Sequence, residues 1–204
     1  MKNLILSAII MAFVLVSCNK KNNQTETTNT PMMENDSTMN MENSTMTMEK
    51  NTKKSKSAQS SNASINEIVV NYLKLKNALV NDNSKEAANS GNALVATIGK
   101  VDMNSISKEQ MKNYMDIADD VKEHAEHIGN NASNIAHQRE HFVLMSKDIN
   151  DLIKTFGTEQ KLYQDFCPMA DEGKGAIWIS EVKDIKNPYF GSEMLTCGSV
   201  RKEL

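Results

Sequence analysis

The sequence predicts an all-α protein, an up-and-down four-helix bundle that follows a disordered tether and carries a short irregular extension at its C-terminus. Apolar residues recur at helical spacing between residues 65 and 156, and short glycine-containing links separate the periodic stretches. No strand-like alternation occurs before residue 160. Short links make successive helices antiparallel neighbours, so the pattern favours an up-and-down bundle.

The first two helices are predicted from their apolar stripes and end signals. Ser64, followed by Glu67, has the form of a capping box and marks the start of helix one. Its stripe comprises Ile65, Ile68, Val69, Tyr72, Leu73, Leu75, Leu79 and Val80. The second helix is predicted from Ser84 to about Ile98, with Gly99 as its stop. Its inward residues are Ala87, Gly91, Leu94, Val95 and Ile98.

Two further helices follow. The third is predicted to start near Ser107 and to end at Gly129-Asn130. Its stripe comprises Met111, Tyr114, Met115, Ala118, Val121, Ala125 and Ile128. The fourth runs from about Ser133 to Phe156 and stops at Gly157. Its inward residues are Ile135, Phe142, Met145, Ile149, Leu152, Ile153 and Phe156.

The extension, residues 159–204, differs from the helical region in composition. It contains Trp178, the single tryptophan of the chain, together with Cys167, Cys197 and two prolines. We expect irregular, strand-like or turn-rich packing against one end of the bundle. A segment this short does not fold alone without a crosslink or a metal. The domain therefore spans residues 64–204 and includes the extension.

Residues 1–17 read as a secretory signal peptide. Lys2 precedes an apolar run from Leu4 to Val16, which is shorter than the roughly 20 residues of a membrane-spanning helix. The ending Leu15-Val16-Ser17-Cys18 resembles the lipobox of bacterial lipoproteins, which implies that Cys18 becomes an acylated N-terminus. The alternative is a plain signal peptide with an incidental cysteine.

The residues after Cys18 bear on location and partners. Residues 19–23 contain no acidic cluster, and by resemblance to lipoprotein sorting rules Asn19 indicates the inner leaflet of the outer membrane, facing the periplasm. The lipid anchor then supplies the membrane association. A net charge of -3 argues against a nucleic-acid partner.

The tether, residues 18–63, is polar, lacks aromatic residues and is rich in methionine. Such a stretch cannot bury enough apolar surface to offset its ordering entropy. Its thioethers are soft ligands suited to Cu(I), so they predict capture of a soft metal. Compositional drift in a linker is the alternative. The methionines concerned are Met32, Met33, Met39, Met41, Met46 and Met48.

All four histidines lie on the two predicted helices that flank the turn at Gly129. His124 and His127 are spaced i,i+3, and His137 and His141 are spaced i,i+4, so each pair shares one helix face. The turn folds these faces back beside each other, which predicts a metal site at a helix–helix edge. The alternative is a set of solvated polar side chains among many other charges.

Two sulfur motifs end the chain, Cys167-Pro168-Met169 and Met194-Leu195-Thr196-Cys197. Two thiolates with two thioethers form a sulfur site of the kind that selects Cu(I). Alternatively, Cys167 and Cys197 form a disulfide that closes about 30 residues and contributes about 3 to 4 kcal/mol. The spacing does not separate these readings. The sequence contains no phosphate-binding loop, nucleophile elbow or other catalytic signature, so we expect neither an enzyme nor an organic cofactor.

The C-terminal half resembles an uncharacterised domain family. The resemblance is carried by residues 137–146 (HQREHFVLMS), 166–170 (FCPMA), 173–180 (GKGAIWIS), 185–191 (IKNPYFG) and 194–198 (MLTCG) and covers about residues 65–200. The family occurs in periplasmic lipoproteins and fused to adaptor subunits of copper and heavy-metal efflux pumps. This chain lacks the hairpin, lipoyl-like and barrel domains of those adaptors.

The resemblance implies metal handling in the cell envelope, chiefly of copper as Cu(I), with metal-efflux pump components as partners. Carried over by position, Cys167, Met169, Met194 and Cys197 are the expected ligands, with His127, His137 and His141 behind them. The leading hypothesis is a lipid-anchored periplasmic binding protein that buffers copper or delivers it to efflux. The alternative is a non-metal interaction module stapled by a Cys167–Cys197 disulfide.

Overall fold

The computed structural model describes residues 50–204, with side chains from residue 64 onward. The described residues form helices α1 (Lys50–Val80), α2 (Ser84–Ile98), α3 (Lys108–Asn130) and α4 (Ile135–Phe156), and strands β1 (Tyr163–Cys167), β2 (Ala176–Ser180) and β3 (Ser199–Glu203). Short 3-10 helices occupy Met103–Ser105 and Gly191–Glu193. The predicted leader, Cys18 and the tether methionines (Met32, Met33, Met39, Met41, Met46 and Met48) lie outside the described residues.

The predicted helices α2, α3 and α4 are confirmed, with ends close to the expected positions. Each begins after a side chain that caps an otherwise unpaired backbone N–H. Asn83 accepts from the N–H of Glu86, Ser107 accepts from Gln110, and Asn134 accepts from His137. Polar caps and apolar stripes therefore agree on where these helices start.

The predicted start of α1 is wrong. The helix begins at Lys50, so Ser64 and Glu67 lie inside it and do not form its N-terminal cap. The stretch from Lys50 to the residue before Ser64 is made of Lys, Ser, Asn, Ala, Thr and Gln and carries no apolar stripe, so hydrophobic periodicity gives no signal there. The last residues of the predicted disordered tether, 50–63, accordingly belong to the helix.

The helices share one apolar core. Successive helices pack against each other, and α1 also contacts α4. The core includes Tyr72 stacked on Phe142, with 5.1 Å between their ring centroids. The up-and-down order of the bundle stays a prediction. No helix in the described part of the chain has the length and hydropathy that a membrane crossing needs.

The C-terminal extension is not irregular, so the all-α prediction is wrong for this part of the chain. Its three strands form an antiparallel sheet in the order β2-β1-β3. Cys167 lies opposite Ala176, and Phe166 lies between Ile177 and Ser199. Five-residue strands joined by long turns produce too little alternation to be read with certainty from sequence.

Strand β2 attaches the sheet to the helices. It packs on α4, and its Trp178 is fully buried, edge-on to Tyr189. The Tyr72 hydroxyl, on α1, accepts a hydrogen bond from the N–H of Ile179 and lies 2.8 Å from the hydroxyl of Ser146 on α4. One buried hydroxyl thus connects two helices and a strand.

Arg139 on α4 makes a second connection, between the helices and the extension. Its guanidinium donates to the carboxylate of Asp82 at 2.6 Å, to the carbonyl of Leu79, and to the carbonyl of Pro188 at 2.9 Å. Asp82 also accepts from the N–H and hydroxyl of Ser192. The end of α1, the start of α4 and residues 188–192 are therefore held together.

A buried charge cluster lies between α1 and the sheet. Lys76 is wholly buried and donates to the Glu181 carboxylate at 2.7 Å. Burial lowers the pKa of the Lys76 amine, and the Glu181 carboxylate opposes that shift. Asp165, on β1, is also wholly buried, and neither carboxylate oxygen has a hydrogen-bond partner. Burial raises the pKa of Asp165 to about 6, and the Lys76 charge opposes the shift.

This environment predicts a pH-dependent stability that depends on Asp165. An aspartate in the unfolded chain has a pKa of about 3.9. From about pH 4 to about pH 6 the folded protein holds a proton that the unfolded chain has lost, so stability falls as the pH rises. The shift corresponds to at most about 3 kcal/mol. Asp165→Asn removes the contribution of Asp165 alone, so its thermal stability should fall less between pH 4 and pH 6 than that of the wild type. Near neutral pH the variant should melt at least as high as the wild type.

The exposed Asp184→Asn is the matched control and should keep the wild-type slope. An Asp165→Asn variant that melts lower than the wild type at neutral pH, with the slope unchanged, contradicts this account.

Gly198 directs the chain from Cys197 into β3. Its φ of +141° suits glycine, and a Cβ there would meet the Trp178 ring at 2.8 Å and the Phe166 carbonyl at 2.9 Å. Gly99, with φ of -66° and its nearest neighbour at 3.7 Å, has room for a methyl group.

Gly198→Ala should therefore lower the free energy of unfolding by about 1 to 3 kcal/mol, whereas Gly99→Ala should be neutral or slightly stabilising. Urea unfolding followed by circular dichroism measures both. Equal stability of the two variants would contradict the close approach of Gly198 to Trp178.

Candidate metal centre

A buried glutamine fixes the two helices that carry the histidines. Gln138, in the first turn of α4, is wholly buried. Its amide nitrogen donates to the Ile128 carbonyl in the last turn of α3 at 3.1 Å and to the Ser84 carbonyl at the start of α2 at 2.9 Å. The Ile128 carbonyl also accepts from the N–H of Asn131, the C-cap of α3, at 3.3 Å. Because Gln138 bonds a carbonyl in the last turn of α3, it fixes the register between α3 and α4.

Three imidazoles lie close together next to the Gln138 hydrogen bonds, which we call the Gln138 clamp. One ring nitrogen from each of His127, His137 and His141 lies within 4.8 Å of the other two. The rings of His127 and His141 are stacked, with centroids 4.1 Å apart, and His137 meets His141 edge-on at 4.6 Å. His127 is exposed and the other two are half-buried, so an ion can reach the group from solvent.

The fourth predicted histidine lies next to this triad but outside it. The Nδ1 atoms of His124 and His141 are 3.2 Å apart, which is hydrogen-bond distance. On its other side, His124 Nε2 lies 3.9 Å from a carboxylate oxygen of Asp148. His137 Nδ1 lies 3.1 Å from a Glu140 carboxylate oxygen.

Burial decides the charge state of the inner imidazoles. It lowers the pKa of His141 to about 4, and the neighbouring His127, His137 and His124 add to the shift. Burial also lowers the pKa of His124. Burial, with Asp120 and Asp151, raises the pKa of Asp148 to about 6. At neutral pH His141 is therefore an uncharged imidazole with a lone pair, which is the form that binds metals.

The two cysteines also come together. Cys167, wholly buried at the end of β1, and the half-buried Cys197 are free thiols with sulfurs 2.8 Å apart. That is closer than non-bonded heavy atoms usually approach, about 3.5 to 4.0 Å for carbon, and longer than the roughly 2.05 Å of a disulfide. The side-chain amide nitrogen of Asn187 donates a hydrogen bond to the backbone carbonyl of Cys197 at 2.6 Å. In the described part of the chain, no histidine or carboxylate joins the cysteines to form a group of three ligands.

Of the two predicted methionine ligands, Met169 lines a groove and Met194 is not among the residues that line it. Met169 is 53% exposed and lines a groove of about 610 Å³ between α4 and the β1–β2 turn. Met194 is half-buried at the end of the Gly191–Glu193 helix, and its carbonyl accepts from the N–H of Cys197. The structure therefore joins the thiols to each other, while Met169 faces the groove.

Sequence reasoning did not assign a role to Gln138, Glu140 or Asp148. Asp148 follows His141 by seven residues, two helical turns, which puts both on one face of α4. That spacing is a signal that could have identified it. Gln138 gives no such signal, because a glutamine between two histidines reads as another polar residue until its burial is known.

Comparison with known proteins gives one result that bears on this site. Residues 68–161 match the model of a protein family described as a protein of unknown function (DUF3347). Residues 68–161 form a DUF3347 domain. The domain contains all four histidines and ends before both cysteines. No curated protein and no solved structure matches the chain. The resemblance to an uncharacterised family is thus confirmed for the part of the chain that carries the imidazoles.

The Gln138 clamp predicts a stability cost within the DUF3347 domain. Gln138→Ala removes both donated hydrogen bonds and leaves two carbonyls without this donor, so the free energy of unfolding should fall by about 1 to 3 kcal/mol. Urea unfolding measures it. The exposed Glu123→Ala on α3 should stay within about 0.5 kcal/mol of the wild type. Equal stability of the two variants contradicts the clamp.

The sulfur distance predicts rapid intramolecular crosslinking. A Cys18→Ser chain produced without residues 1–17 and treated with a mild oxidant should lose two hydrogens by intact mass and resist alkylation. It should remain monomeric, because each thiol already faces its partner. Alkylation is carried out in denaturant because Cys167 is buried, and Cys197→Ser should then keep one alkylatable thiol. Crosslinked dimers as the main product would show that the two sulfurs do not face each other in solution.

Proposed function

We propose that this chain is a non-enzymatic, lipid-anchored binding protein of the bacterial cell envelope, which binds copper or another soft heavy metal for buffering or delivery to efflux. The principal site is the triad of His127, His137 and His141. The observation that supports this proposal most directly is the convergence of their ring nitrogens within 4.8 Å. Metal ions are held by several donors at about 2 Å each, so two donors of one ion lie at most about 4 Å apart. Small rotations of the three side chains would bring nitrogens within 4.8 Å to that separation.

The choice of copper draws on the sulfur chemistry of the chain. Imidazole alone suits copper, zinc, iron and nickel. Thioethers and thiols narrow the choice, because soft donors favour Cu(I) over harder ions. The chain supplies them in the Cys167–Cys197 pair and in the predicted methionine-rich tether. A soft ion captured by the tether passes to the triad within one molecule, at a high effective concentration.

The envelope address follows from the N-terminal sequence. The signal-like run and the Leu-Val-Ser-Cys ending support cleavage before Cys18 and acylation there. We assign the chain to the inner leaflet of the outer membrane, facing the periplasm. Metal-efflux pump components are the proposed receivers, through the resemblance of the C-terminal signature to domains fused to pump adaptors.

A second candidate function rests on the sulfur pair. Thiols 2.8 Å apart need little movement to form a disulfide, and such a bond is stable in an oxidising compartment. The disulfide would then crosslink the extension. The groove beside Leu144 and Met169, which are both exposed, would bind another envelope protein. Under this candidate the histidines bind no metal.

Titration of the Cys18→Ser chain, produced without residues 1–17, distinguishes these functions. Reduced protein is titrated with Cu(I) against a competing chelator, and a parallel series uses Cu(II). We expect sub-micromolar affinity for one ion per triad. His127→Gln with His141→Gln should weaken binding by more than the roughly 10- to 100-fold that changes outside the ligand set cause.

The matched control is Glu123→Gln with Glu126→Gln, two exposed changes on the same helix, which should leave the affinity unchanged. Loss of binding only in Cys167→Ser with Cys197→Ser contradicts the triad as the principal site. The absence of binding to the wild-type chain contradicts the proposed function and leaves the interaction module.

A further inference from the structure

The hydrogen bonds behind the triad determine which nitrogen each imidazole offers. His137 Nδ1 faces the Glu140 carboxylate at 3.1 Å. An ionised carboxylate only accepts hydrogen bonds, so Nδ1 carries the proton and Nε2 keeps its lone pair. A carboxylate behind a metal-binding histidine commonly fixes the ring in this way. Glu140 is 74% exposed, so its hold on His137 is weak.

A less exposed chain of groups orients His141. Its Nδ1 lies 3.2 Å from His124 Nδ1, so one of these nitrogens donates and the other accepts. The far nitrogen of His124, Nε2, lies 3.9 Å from the Asp148 carboxylate. That negative charge favours the proton on His124 Nε2, which makes His124 Nδ1 the acceptor. His141 Nδ1 is then the donor, and the lone pair of His141 is on Nε2.

We infer that His124 and Asp148 are positioning residues, which hold His141 with Nε2 free, and that the site is a three-nitrogen centre without His124 among its ligands. This inference rests on the proposed function and specifies its site. The side chains of His124 and Asp148 are only 15% and 23% exposed, so the pair is better shielded from solvent than Glu140. His124 also lies outside the group whose donor atoms converge.

A metal ion held by the three imidazoles needs a further ligand from outside the triad. Three imidazoles leave a coordination position for a ligand from outside the triad, as in zinc centres that keep an open position for water or substrate. The exposure of His127 makes that position reachable from solvent. An exchangeable ligand there, such as water or an incoming thioether, allows an ion to enter and leave by ligand exchange.

The test uses the Cys18→Ser chain without residues 1–17 and the variants Asp148→Asn and His124→Gln. Cu(II) affinity should fall about 10-fold in each variant, as is typical for groups behind the ligands. X-ray absorption and electron spin-echo spectroscopy should count three coordinated imidazoles in the wild type and in both variants. Asp116→Asn, an exposed aspartate two turns before His124 on α3, is the control and should leave affinity and spectra unchanged.

Nitrogen NMR on the metal-free protein provides an independent readout. His141 should carry its proton on Nδ1 in the wild type and populate both tautomers in Asp148→Asn, while thermal unfolding confirms that the variant is folded. Four coordinated imidazoles in the wild type and three in His124→Gln would make His124 a ligand and overturn the inference. A proton on His141 Nε2 in the metal-free wild type would also overturn it. If the wild type binds no metal, the proposed function fails, and the NMR result still decides the orientation of His141.

Discussion

The register between α3 and α4 is the constraint on which the site depends. Each helix carries two histidines on one face, and these faces meet because the chain reverses within a few residues and Gln138 then fixes the start of α4 against the end of α3. A buried amide is expensive to leave without partners, so its two carbonyl contacts select one register. A slip of one residue would rotate the imidazoles of α4 by about 100° and separate the triad.

Strand β2 of the C-terminal sheet packs against the same helix, α4. Arg139 follows Gln138 in α4 and binds the end of α1 and the Pro188 carbonyl. Gln138 connects α4 to α3 and the start of α2, and Arg139 connects it to the end of α1 and the extension. Trp178 and the Tyr72 hydroxyl extend this attachment along β2. Cys167 and Cys197 lie in the C-terminal extension, beyond the end of the DUF3347 domain at residue 161. The four histidines lie inside that domain.

The sequence predicts the local parts of this structure better than the long-range parts. Helices α2 to α4 are readable because their caps and apolar stripes coincide, and the clustering of the histidines follows from helical spacing and one turn. The start of α1 at Lys50 lacks any apolar stripe, and the sheet depends on pairing between residues as distant as Phe166 and Ser199. The burial of Lys76, Asp165 and Gln138 is also hidden, because their types favour the surface and only tertiary contacts reverse that preference.

We propose that one soft metal ion is held by three imidazoles at the junction of α3 and α4. Crystals of the copper-loaded chain, measured on both sides of the copper absorption edge, test it most directly. We expect one strong anomalous peak about 2 Å from nitrogens of His127, His137 and His141. A peak at the sulfurs of Cys167 and Cys197, with none at the histidines, would contradict it.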